Sequence, residues 1–232
     1  MRQIRTLIID DERAARQELR RLLANYPEFL IVDEARNADE AIAMINLEKP
    51  DLLLLDIQMP GKSGFELLEE LDNTPQVIFV TAYDQYALKA FEVSALDYLM
   101  KPIRIERFDK AITQVLSRID QNPTNKQSFV KDGNKYHFFH WINVRLIASM
   151  DNYAKLYTNE QVICIKKSLV QLEKVLNPEL FFRINRAQII NLKFVAQIKT
   201  NPNGRLSISL TTGELLEASD RQSVRFKNKT IL

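Results

Sequence analysis

Four consecutive leucines, Leu52 to Leu55, run directly into Asp56 and are followed by a proline and a glycine at positions 60 and 61. An apolar run this short, ended by turn residues, is typical of a buried parallel strand. A carboxylate at the C-terminal end of such a strand lies in the crevice where open α/β sheets bind ligands. Asp56 is therefore either an ordinary turn residue or the centre of a functional site, depending on the partners that the rest of the chain supplies.

The first 120 residues repeat this pattern of a short strand followed by a helix. Strands are predicted at 6–9, 29–32, 52–55, 77–80 and 95–99, with helices at 15–26, 38–47, 64–71, 85–91 and 105–119. The last helix is expected to bury one apolar stripe made of Ile105, Phe108, Ile112, Val115 and Ile119. Five alternating strands and helices predict an α/β fold, a parallel doubly wound sheet of the flavodoxin-like class.

The ends of the predicted strands carry polar residues that parallel strands would bring to one edge of the sheet: Asp10, Asp11, Asp56, Thr81 and Lys101. Three carboxylates crowded together repel one another and remain ionised only beside a cation. Oxygen ligands that leave room for water suit Mg²⁺, and Lys101 supplies a further positive charge. A phosphoryl group on Asp56 would meet Mg²⁺, Lys101 and the Thr81 hydroxyl.

These residues resemble the receiver domain of two-component response regulators over positions 1 to about 120. The resemblance rests on Asp10-Asp11-Glu12, Leu55 to Gly61, Thr81-Ala82 and Lys101-Pro102. It implies that Asp56 accepts the phosphoryl group, that Lys101 contacts the phosphate and that the Lys101–Pro102 bond is cis. It further implies roles for five more residues: Asp10, Asp11 and the backbone carbonyl of Gln58 as ligands of Mg²⁺, and Thr81 with Tyr98 as a switch pair. Tyr98 is otherwise an ordinary strand aromatic.

A phosphohydrolase of the haloacid dehalogenase type is a different reading of an aspartate beside Mg²⁺ at a strand end. Such an enzyme needs a second acid two residues after the nucleophile, to protonate the leaving group. Gln58 occupies that position here. A slowly hydrolysed acyl phosphate used as a signal therefore fits better than turnover, and the chain is not expected to be an enzyme beyond slow self-dephosphorylation.

The two halves of the chain carry opposite charge. Residues 1–120 contain 15 Lys and Arg against 22 Asp and Glu, a net charge of −7, whereas residues 121–232 contain 17 against 8, a net charge of +9. A basic module commonly meets nucleic acid or an anionic surface, although it can be a solvated face without a partner. No stretch is apolar enough to span a bilayer, and the single cysteine, Cys164, is interpreted as a small core residue of a protein in a reducing cytosol.

The basic half is predicted to be mainly β. Short strands from residue 128 onward surround one helix, which a capping box of Ser168 and Gln171 begins, and hairpin turns are indicated at 203–204 and 212–213. His137 and His140 have no neighbours that would complete a zinc site. In the absence of a long basic helix, DNA contact would come from three loops that gather polar and basic groups: 152–155, 183–186 and 219–223.

The phrase from Phe181 to Leu192, with Lys167-Ser168-Leu169 before it and Ala218 to Arg221 after it, resembles the LytTR DNA-binding domain. The resemblance covers about residues 127 to 232. It implies loops that enter successive major grooves and dimers that occupy paired direct repeats of double-stranded DNA. Carried over by position, Arg186 and Arg221 would face bases, and Asn152 or Tyr153 would lie on the third loop. Lys155 and Arg183 are further candidates, although a single arginine is more often a phosphate contact than a base reader.

The expected organisation is a receiver domain at 1–120, a linker at 121–127 and a LytTR-type domain at 128–232. We expect a cytoplasmic response regulator that a sensor histidine kinase phosphorylates at Asp56, with Mg²⁺, and that then forms a homodimer and binds DNA without a membrane anchor. The alternative is an interaction module whose basic half binds protein or polyanion without sequence specificity. Loss of the preference for target over random duplex in Arg186→Ala would favour the first.

Overall fold

The computed structural model of the chain describes residues 3–71, 73–82, 96–119, 127–133 and 135–230. The chain folds into two compact units, Met1–Phe139 and His140–Leu232. Buried apolar clusters lie within each unit. None of the helices in the described ranges has the length and apolar character needed to cross a membrane.

The first unit contains a five-stranded, wholly parallel sheet in the order β2-β1-β3-β4-β5. The strands are β1 (Ile4–Ile9), β2 (Phe29–Ala35), β3 (Leu52–Leu55), β4 (Gln76–Thr81) and β5 (Asp97–Met100). The described helices of this unit are α1 (Arg13–Leu23), α2 (Ala38–Glu48), α3 (Gly64–Glu69) and α4 (Ile105–Ile119). This order confirms the predicted flavodoxin-like class. The predicted helix from Gln85 to Phe91 lies outside the described residues.

The leucine run forms the central strand β3, and its four side chains are fully buried. Successive residues of a strand point to opposite faces, so Leu53 and Leu55 enter one core while Leu52 and Leu54 enter the other. A strand covered by apolar layers on both sides has to be a continuous apolar run, which explains the sequence signal.

Among the predicted stripe residues of α4 whose burial the structure describes, one is not buried. Phe108, Ile112 and Val115 are fully buried, as predicted, but 66% of the surface of Ile105 is exposed. The prediction was wrong for Ile105 because the buried stripe begins one turn later, at Phe108.

A two-stranded hairpin follows, formed by β6 (Gln127–Asp132) and β7 (Lys135–His140). Up to Phe139 this hairpin belongs to the first compact unit, where Phe129 and Phe138 join one of the sheet's two cores. The sequence had suggested only that these strands open the basic half. Of the predicted linker at 121–127, the structure describes residue 127 alone, which is the first residue of β6.

The second unit is mainly β, as predicted. An antiparallel sheet has the order β10-β9-β8-β12-β11, and a second one has the order β13-β14-β15. The strands are β8 (Leu146–Met150), β9 (Tyr153–Tyr157), β10 (Val162–Ile165), β11 (Phe181–Arg183), β12 (Gln188–Asn191), β13 (Val195–Thr200), β14 (Leu206–Leu210) and β15 (Leu215–Glu217). The predicted capping box of Ser168 and Gln171 begins helix α5 (Leu169–Val175). Cys164, predicted to be a core residue, is only partly buried.

A second helix in this unit, α6 (Asp220–Thr230), was not predicted. Its buried face is polar at Ser223, whose hydroxyl accepts a hydrogen bond from the Leu206 amide at 3.0 Å, while Val224 is 60% exposed. Helical periodicity of apolar residues is therefore weak here, because a hydroxyl and not a hydrocarbon enters the core. The predicted loop at 219–223 is the first turn of this helix.

Candidate functional site

Three carboxylates meet at the C-terminal edge of the parallel sheet. Asp10 and Asp11 directly follow β1, and Asp56 directly follows β3, so the parallel arrangement of the two strands brings them together. One oxygen from each lies within 4.8 Å of the others. Asp10 is fully buried and Asp56 is 6% exposed, whereas Asp11 is exposed. The predicted acidic cluster therefore exists and has one open side.

Lys101, which directly follows β5, bridges two of these carboxylates. Its Nζ lies 2.7 Å from Oδ2 of Asp10 and 2.8 Å from Oδ2 of Asp56. Burial alone would lower the pKa of Lys101, but the two carboxylates outweigh that effect and raise it. Burial raises the pKa of Asp10, and the Lys101 ammonium offsets part of that rise. Lys101 thus remains charged and holds the two acids together.

Thr81 ends β4 beside this cluster, and the residue is fully buried. Its carbonyl accepts a hydrogen bond from the Lys101 amide at 2.9 Å, but its hydroxyl has no hydrogen-bond partner among the described residues. Tyr98 is buried on the neighbouring strand β5, in register with Phe79 of β4. The expected cis bond between Lys101 and Pro102 is confirmed.

The backbone after Asp56 is held by two features. The amide of Gln58 donates to Oδ1 of Asp56 at 3.2 Å, while the residue itself is exposed. The amide of Gly64, the first residue of α3, donates to the Ile57 carbonyl at 2.8 Å. A Cβ at position 64 would lie 2.5 Å from the Asp56 carbonyl oxygen, so only glycine allows α3 to start this close to Asp56.

Arg16 of α1 forms hydrogen bonds with the backbone of the acidic pair, Asp10 and Asp11. The residue is 9% exposed, and its Nη1 donates to the carbonyls of Asp10 at 2.7 Å and Asp11 at 3.2 Å. Its Nε donates to Glu34 of β2 at 3.2 Å. A guanidinium has several donors in a fixed plane, so one side chain can hold two carbonyls and a carboxylate at once. Arg16 therefore fixes the backbone that carries both acids.

The acidic cluster has the donor chemistry of a Mg²⁺ site. Asp10, Asp11 and Asp56 together with Lys101 carry a net charge of −2 when all four are ionised, so the cluster favours a divalent cation. Carboxylate oxygens with an exposed side that water can reach are what Mg²⁺ prefers. These three residues could hold the metal.

The loop between β11 and β12 is held by its own side chains. Arg183 pairs with Glu173 of α5 at 2.7 Å and donates to the carbonyls of Asn185 at 3.1 Å and Arg186 at 2.9 Å. The Asn185 amide group donates to Glu217 at 3.0 Å and to Gln188 at 2.9 Å. The Arg183 side chain is 19% exposed and holds the loop from within, whereas Arg186 is exposed.

Backbone hydrogen bonds bring the three predicted loops together. The Ser149 amide, near the β8–β9 turn, donates to the Ala187 carbonyl at 2.7 Å, and the Ser219 amide, just before α6, donates to the Ile184 carbonyl at 2.9 Å. The segments that carry the predicted side chains are therefore adjacent, and these side chains are all exposed: Asn152 and Tyr153 at the β8–β9 turn, Arg186 on the central loop and Arg221 at the start of α6. Lys155 lies further along β9 and is half-buried.

Sequence reasoning missed the residues that hold these groups in place: Arg16, Glu34, Gly64 and Asn185. It also missed three cations of α6: Arg225, Lys227 and Lys229. A signal was present for Gly64, because Ser63 and Glu66 form a capping box that places the glycine at the first position of α3. Arg16 and Asn185 act on carbonyls that are brought near by the fold, and no local pattern marks such contacts.

Comparison with known proteins agrees with both halves of this description. The response regulator receiver domain family matches residues 6–113, and the LytTr DNA-binding domain family matches residues 134–230. The chain is 37% identical to an uncharacterized response regulatory protein of Vibrio cholerae over 93% of both chains. It is 32% identical to the sensory transduction protein LytT of Enterococcus faecalis, over 96% of this chain and 97% of the relative.

Solved structures match each half separately. The response regulatory domain of mrkE from Klebsiella pneumoniae is 27% identical, with a TM-score of 0.48, and covers 51% of this chain and 99% of its own. A LytTr DNA-binding domain from Bacillus cereus is 20% identical, with a TM-score of 0.42, over 44% of this chain and 94% of its own. With full-length relatives above 30% identity and both family models in order along the sequence, the chain belongs to the two-component response regulators that join a receiver domain to a LytTR DNA-binding domain.

Proposed function

We propose that Asp56 accepts a phosphoryl group from the phosphohistidine of a sensor histidine kinase and that this modification controls sequence-specific DNA binding by the second unit. The observation that carries the proposal is the position of the Lys101 ammonium, 2.7 Å from Asp10 and 2.8 Å from Asp56 at one edge of a parallel sheet. The ammonium places positive charge beside the Asp56 carboxylate, where negative charge would increase on arrival of a phosphoryl group.

In the proposed step, a carboxylate oxygen of Asp56 attacks the phosphorus atom. The bond between phosphorus and the imidazole nitrogen breaks, its electron pair stays on that nitrogen, and an acyl phosphate forms on Asp56. Lys101 would offset the added negative charge, and the buried hydroxyl of Thr81 offers a hydrogen bond to a phosphoryl oxygen. Mg²⁺, held by Asp10, Asp11, Asp56 and the Gln58 backbone carbonyl, would supply positive charge at the phosphoryl oxygens.

The signal then changes how receivers pair. Movement of Thr81 toward the phosphoryl group, with Tyr98 following, would alter the surface formed by the segment between them and favour a homodimer through that face. Part of that segment, 83–95, lies outside the described residues. We also propose that the acyl phosphate is lost only slowly, because the amide of Gln58 cannot take a proton from the attacking water as a carboxylate there could. We further propose that the protein works in the cytoplasm, where a kinase and DNA are both present.

The test of the switch is Asp56→Asn, with Asp33→Asn as a control because Asp33 is a carboxylate on β2, away from the acidic cluster. With acetyl phosphate and Mg²⁺, the wild type and the control should dimerise in sedimentation experiments and bind promoter DNA more tightly, whereas Asp56→Asn should do neither. An unchanged response in Asp56→Asn would place the switch elsewhere.

For DNA, we propose that Arg186 and Arg221 contact bases in successive major grooves and that Asn152 or Tyr153 contributes from the third loop. Arg is the side chain best shaped for a bidentate contact with guanine. Lys155 would contribute charge, and Arg183 would hold the central loop in shape. The basic side chains of α6 would meet phosphates, which position the protein without reading sequence. The preferred target is a pair of direct repeats, bound by the dimer.

Arg186→Ala separates base reading from general attraction to polyanions. A base-reading Arg186 predicts a loss of roughly 1–3 kcal/mol on the target duplex and little loss on a random duplex. Lys227→Ala is the matched control, because a phosphate contact should weaken both duplexes about equally and reduce the salt dependence. Equal weakening by Arg186→Ala on both duplexes would favour a module that binds polyanions without specificity.

The domain limits that we propose are a receiver at 1–120, a linker at 121–127 and a LytTR domain at 128–232. The family model for the second domain begins at residue 134, within the β6–β7 hairpin. That match therefore includes β7 but not β6, whereas both strands lie in the first compact unit up to Phe139.

A further inference from the structure

The β6–β7 hairpin packs against α3 through a stack of aromatic rings. The ring of Tyr136 is stacked on that of Phe65 with centroids 4.7 Å apart and planes 12° apart, and Phe129 is stacked on Tyr136 at 5.4 Å and 15°. Phe138 packs against Phe129 at 4.8 Å. The stack continues into the sheet, because Phe65 contacts Phe79 of β4 at 5.0 Å.

A second set of contacts holds the start of the hairpin. The Thr74 amide donates to the Gln127 carbonyl at 2.8 Å in an antiparallel bridge, and the side-chain amide of Gln76 donates to that of Gln127 at 3.1 Å. Gln127 is 6% exposed. The hairpin is thus held by backbone pairing at one end and by aromatic packing at α3.

The residues that receive the hairpin are next to the proposed phosphorylation site. Phe65 follows Gly64, whose amide is bonded to Ile57 and whose backbone approaches the Asp56 carbonyl so closely that no Cβ fits. Phe79 lies two residues before Thr81 on β4, and the same buried cluster contains Tyr98. A shift of the backbone at Asp56 or Thr81 therefore reaches the stacked rings through one or two residues.

We propose that the α3 face of the receiver is a docking surface for the two hairpin strands of the same chain, residues 127–132 and 135–139, and that phosphorylation of Asp56 weakens this docking. The inference rests on the proposed phosphoacceptor role of Asp56. Lys101 bridges Asp10 and Asp56, and the Asp56 backbone lies directly against Gly64, the first residue of α3. A phosphoryl group would compete with Asp10 for that ammonium, and a state in which the bridge is broken would then hold α3 and the hairpin less well.

Such a linkage is reciprocal, since the free energy that couples two sites is the same in both directions. If an analogue of the phosphoryl group weakens docking, then loss of docking strengthens binding of the analogue by the same factor. Because β7 continues through Phe139 into His140, the first residue of the second unit, the hairpin is also the covalent route by which docking could bear on the DNA-binding half.

The first experiment measures hydrogen exchange of the hairpin amides in the full chain, with Mg²⁺ alone and with Mg²⁺ plus beryllofluoride. The expected result is exchange about tenfold faster with beryllofluoride, within the usual range of coupling between sites. Unchanged or slower exchange would overturn the inference.

Fluorine NMR of bound beryllofluoride in wild type and Asp56→Asn checks occupancy separately. If binding depends on Asp56 while the exchange stays unchanged, this inference fails and the proposed function stands. If no binding depends on Asp56, the proposed function fails and the inference fails with it.

The second experiment tests the reverse direction. Tyr136→Ala should bind beryllofluoride about tenfold more tightly, whereas Tyr136→Phe, which keeps the stack, should match the wild type. Tyr26→Ala is the matched control, because Tyr26 contacts Phe108 in the core on the other face of the sheet and should leave the affinity unchanged. If Tyr136→Ala does not fold, Gln127→Ala takes its place. This variant removes the side-chain contact with Gln76 and should also bind beryllofluoride more tightly. An affinity unaffected in every folded hairpin variant would refute the coupling.

Discussion

The two units place their functional side chains in different ways. In the first unit, Asp10, Asp56 and Lys101 directly follow the strands of one parallel sheet, and the sheet itself brings them together. In the second unit, Arg186 and Arg221 lie outside the strands, and hydrogen bonds from neighbouring side chains and amides fix their positions. The proposed site in the first unit is therefore positioned by the scaffold, whereas the proposed site in the second is positioned by individual supporting residues.

The largest effect that would test this difference is expected from Gly64→Ala. The added Cβ would meet the Asp56 backbone at 2.5 Å, so α3 or β3 has to move, and overpacking of this kind costs about 1–3 kcal/mol. We expect loss of stability in urea denaturation together with weaker binding of Mg²⁺ and beryllofluoride.

Gly61→Ala is the control for Gly64→Ala. Gly61 has a φ of 85°, but a Cβ there would meet nothing within 4 Å. It should lower stability through backbone strain and leave the affinity for beryllofluoride largely intact. If both variants weaken binding alike, the close approach at Gly64 has no special role.

Asn185→Ala is the corresponding change in the second unit. It removes hydrogen bonds to Glu217, Gln188 and the Ala187 amide, and loss of partners for such groups costs roughly 1–3 kcal/mol. We expect DNA affinity to fall about tenfold or more as Arg186 loses its fixed position, as measured by fluorescence anisotropy.

Asn203→Ala provides the comparison, because Asn203 accepts a hydrogen bond from the Arg205 amide in an exposed turn between β13 and β14. It should leave DNA affinity unchanged. Equal DNA binding by Asn185→Ala and the wild type would show that the central loop needs no such support.

Arg16→Lys is expected to have a smaller effect, because it keeps the charge but removes the planar set of donors. An ammonium keeps only some of the contacts to the Asp10 and Asp11 carbonyls and to Glu34, so the loss is close to the net value of one hydrogen bond, roughly 0.5–1.5 kcal/mol. Weaker Mg²⁺ binding in calorimetry is expected. Arg20→Lys, which changes an exposed partner of Glu34, should bind Mg²⁺ as the wild type does.

The smallest effect concerns pH and His137 on β7. Burial lowers the pKa of His137 below its ordinary value of 6.5. The unfolded chain then binds this proton more readily than the folded one, so stability is unaffected by it above pH 6.5 and decreases as pH falls from 6.5 through the lower pKa of the folded state. His137→Gln should remove this part of the pH dependence of unfolding below pH 6.5, while a slope equal to that of the wild type would rule out His137 as its source.

The same difference explains what could be predicted from the sequence. The ends of the strands could be predicted from the sequence, because a strand buried on both faces is a continuous apolar run such as Leu52 to Leu55. A parallel sheet then brings the residues that follow its strands to one edge. The supporting residues Arg16 and Asn185 could not be predicted, because the fold brings them to the carbonyls that they contact and no local sequence pattern marks such contacts. Helix α6 was missed because Ser223 enters the core while Val224 is exposed. The docked hairpin depends on contacts between Phe65 and Tyr136, which are 71 positions apart in sequence.

The loop that Arg183 holds has a consequence for the thermodynamics of recognition. Because Arg183 already binds the Asn185 and Arg186 carbonyls in the free protein, most of the backbone freedom of this loop is lost on folding and not on contact with DNA. Ordering a flexible loop or side chain on binding costs conformational entropy, roughly 0.5–1.5 kcal/mol for each immobilised side chain. The entropy penalty of association should therefore fall mainly on the exposed side chains of Arg186 and Arg221, and the loop should join the complex with its shape unchanged.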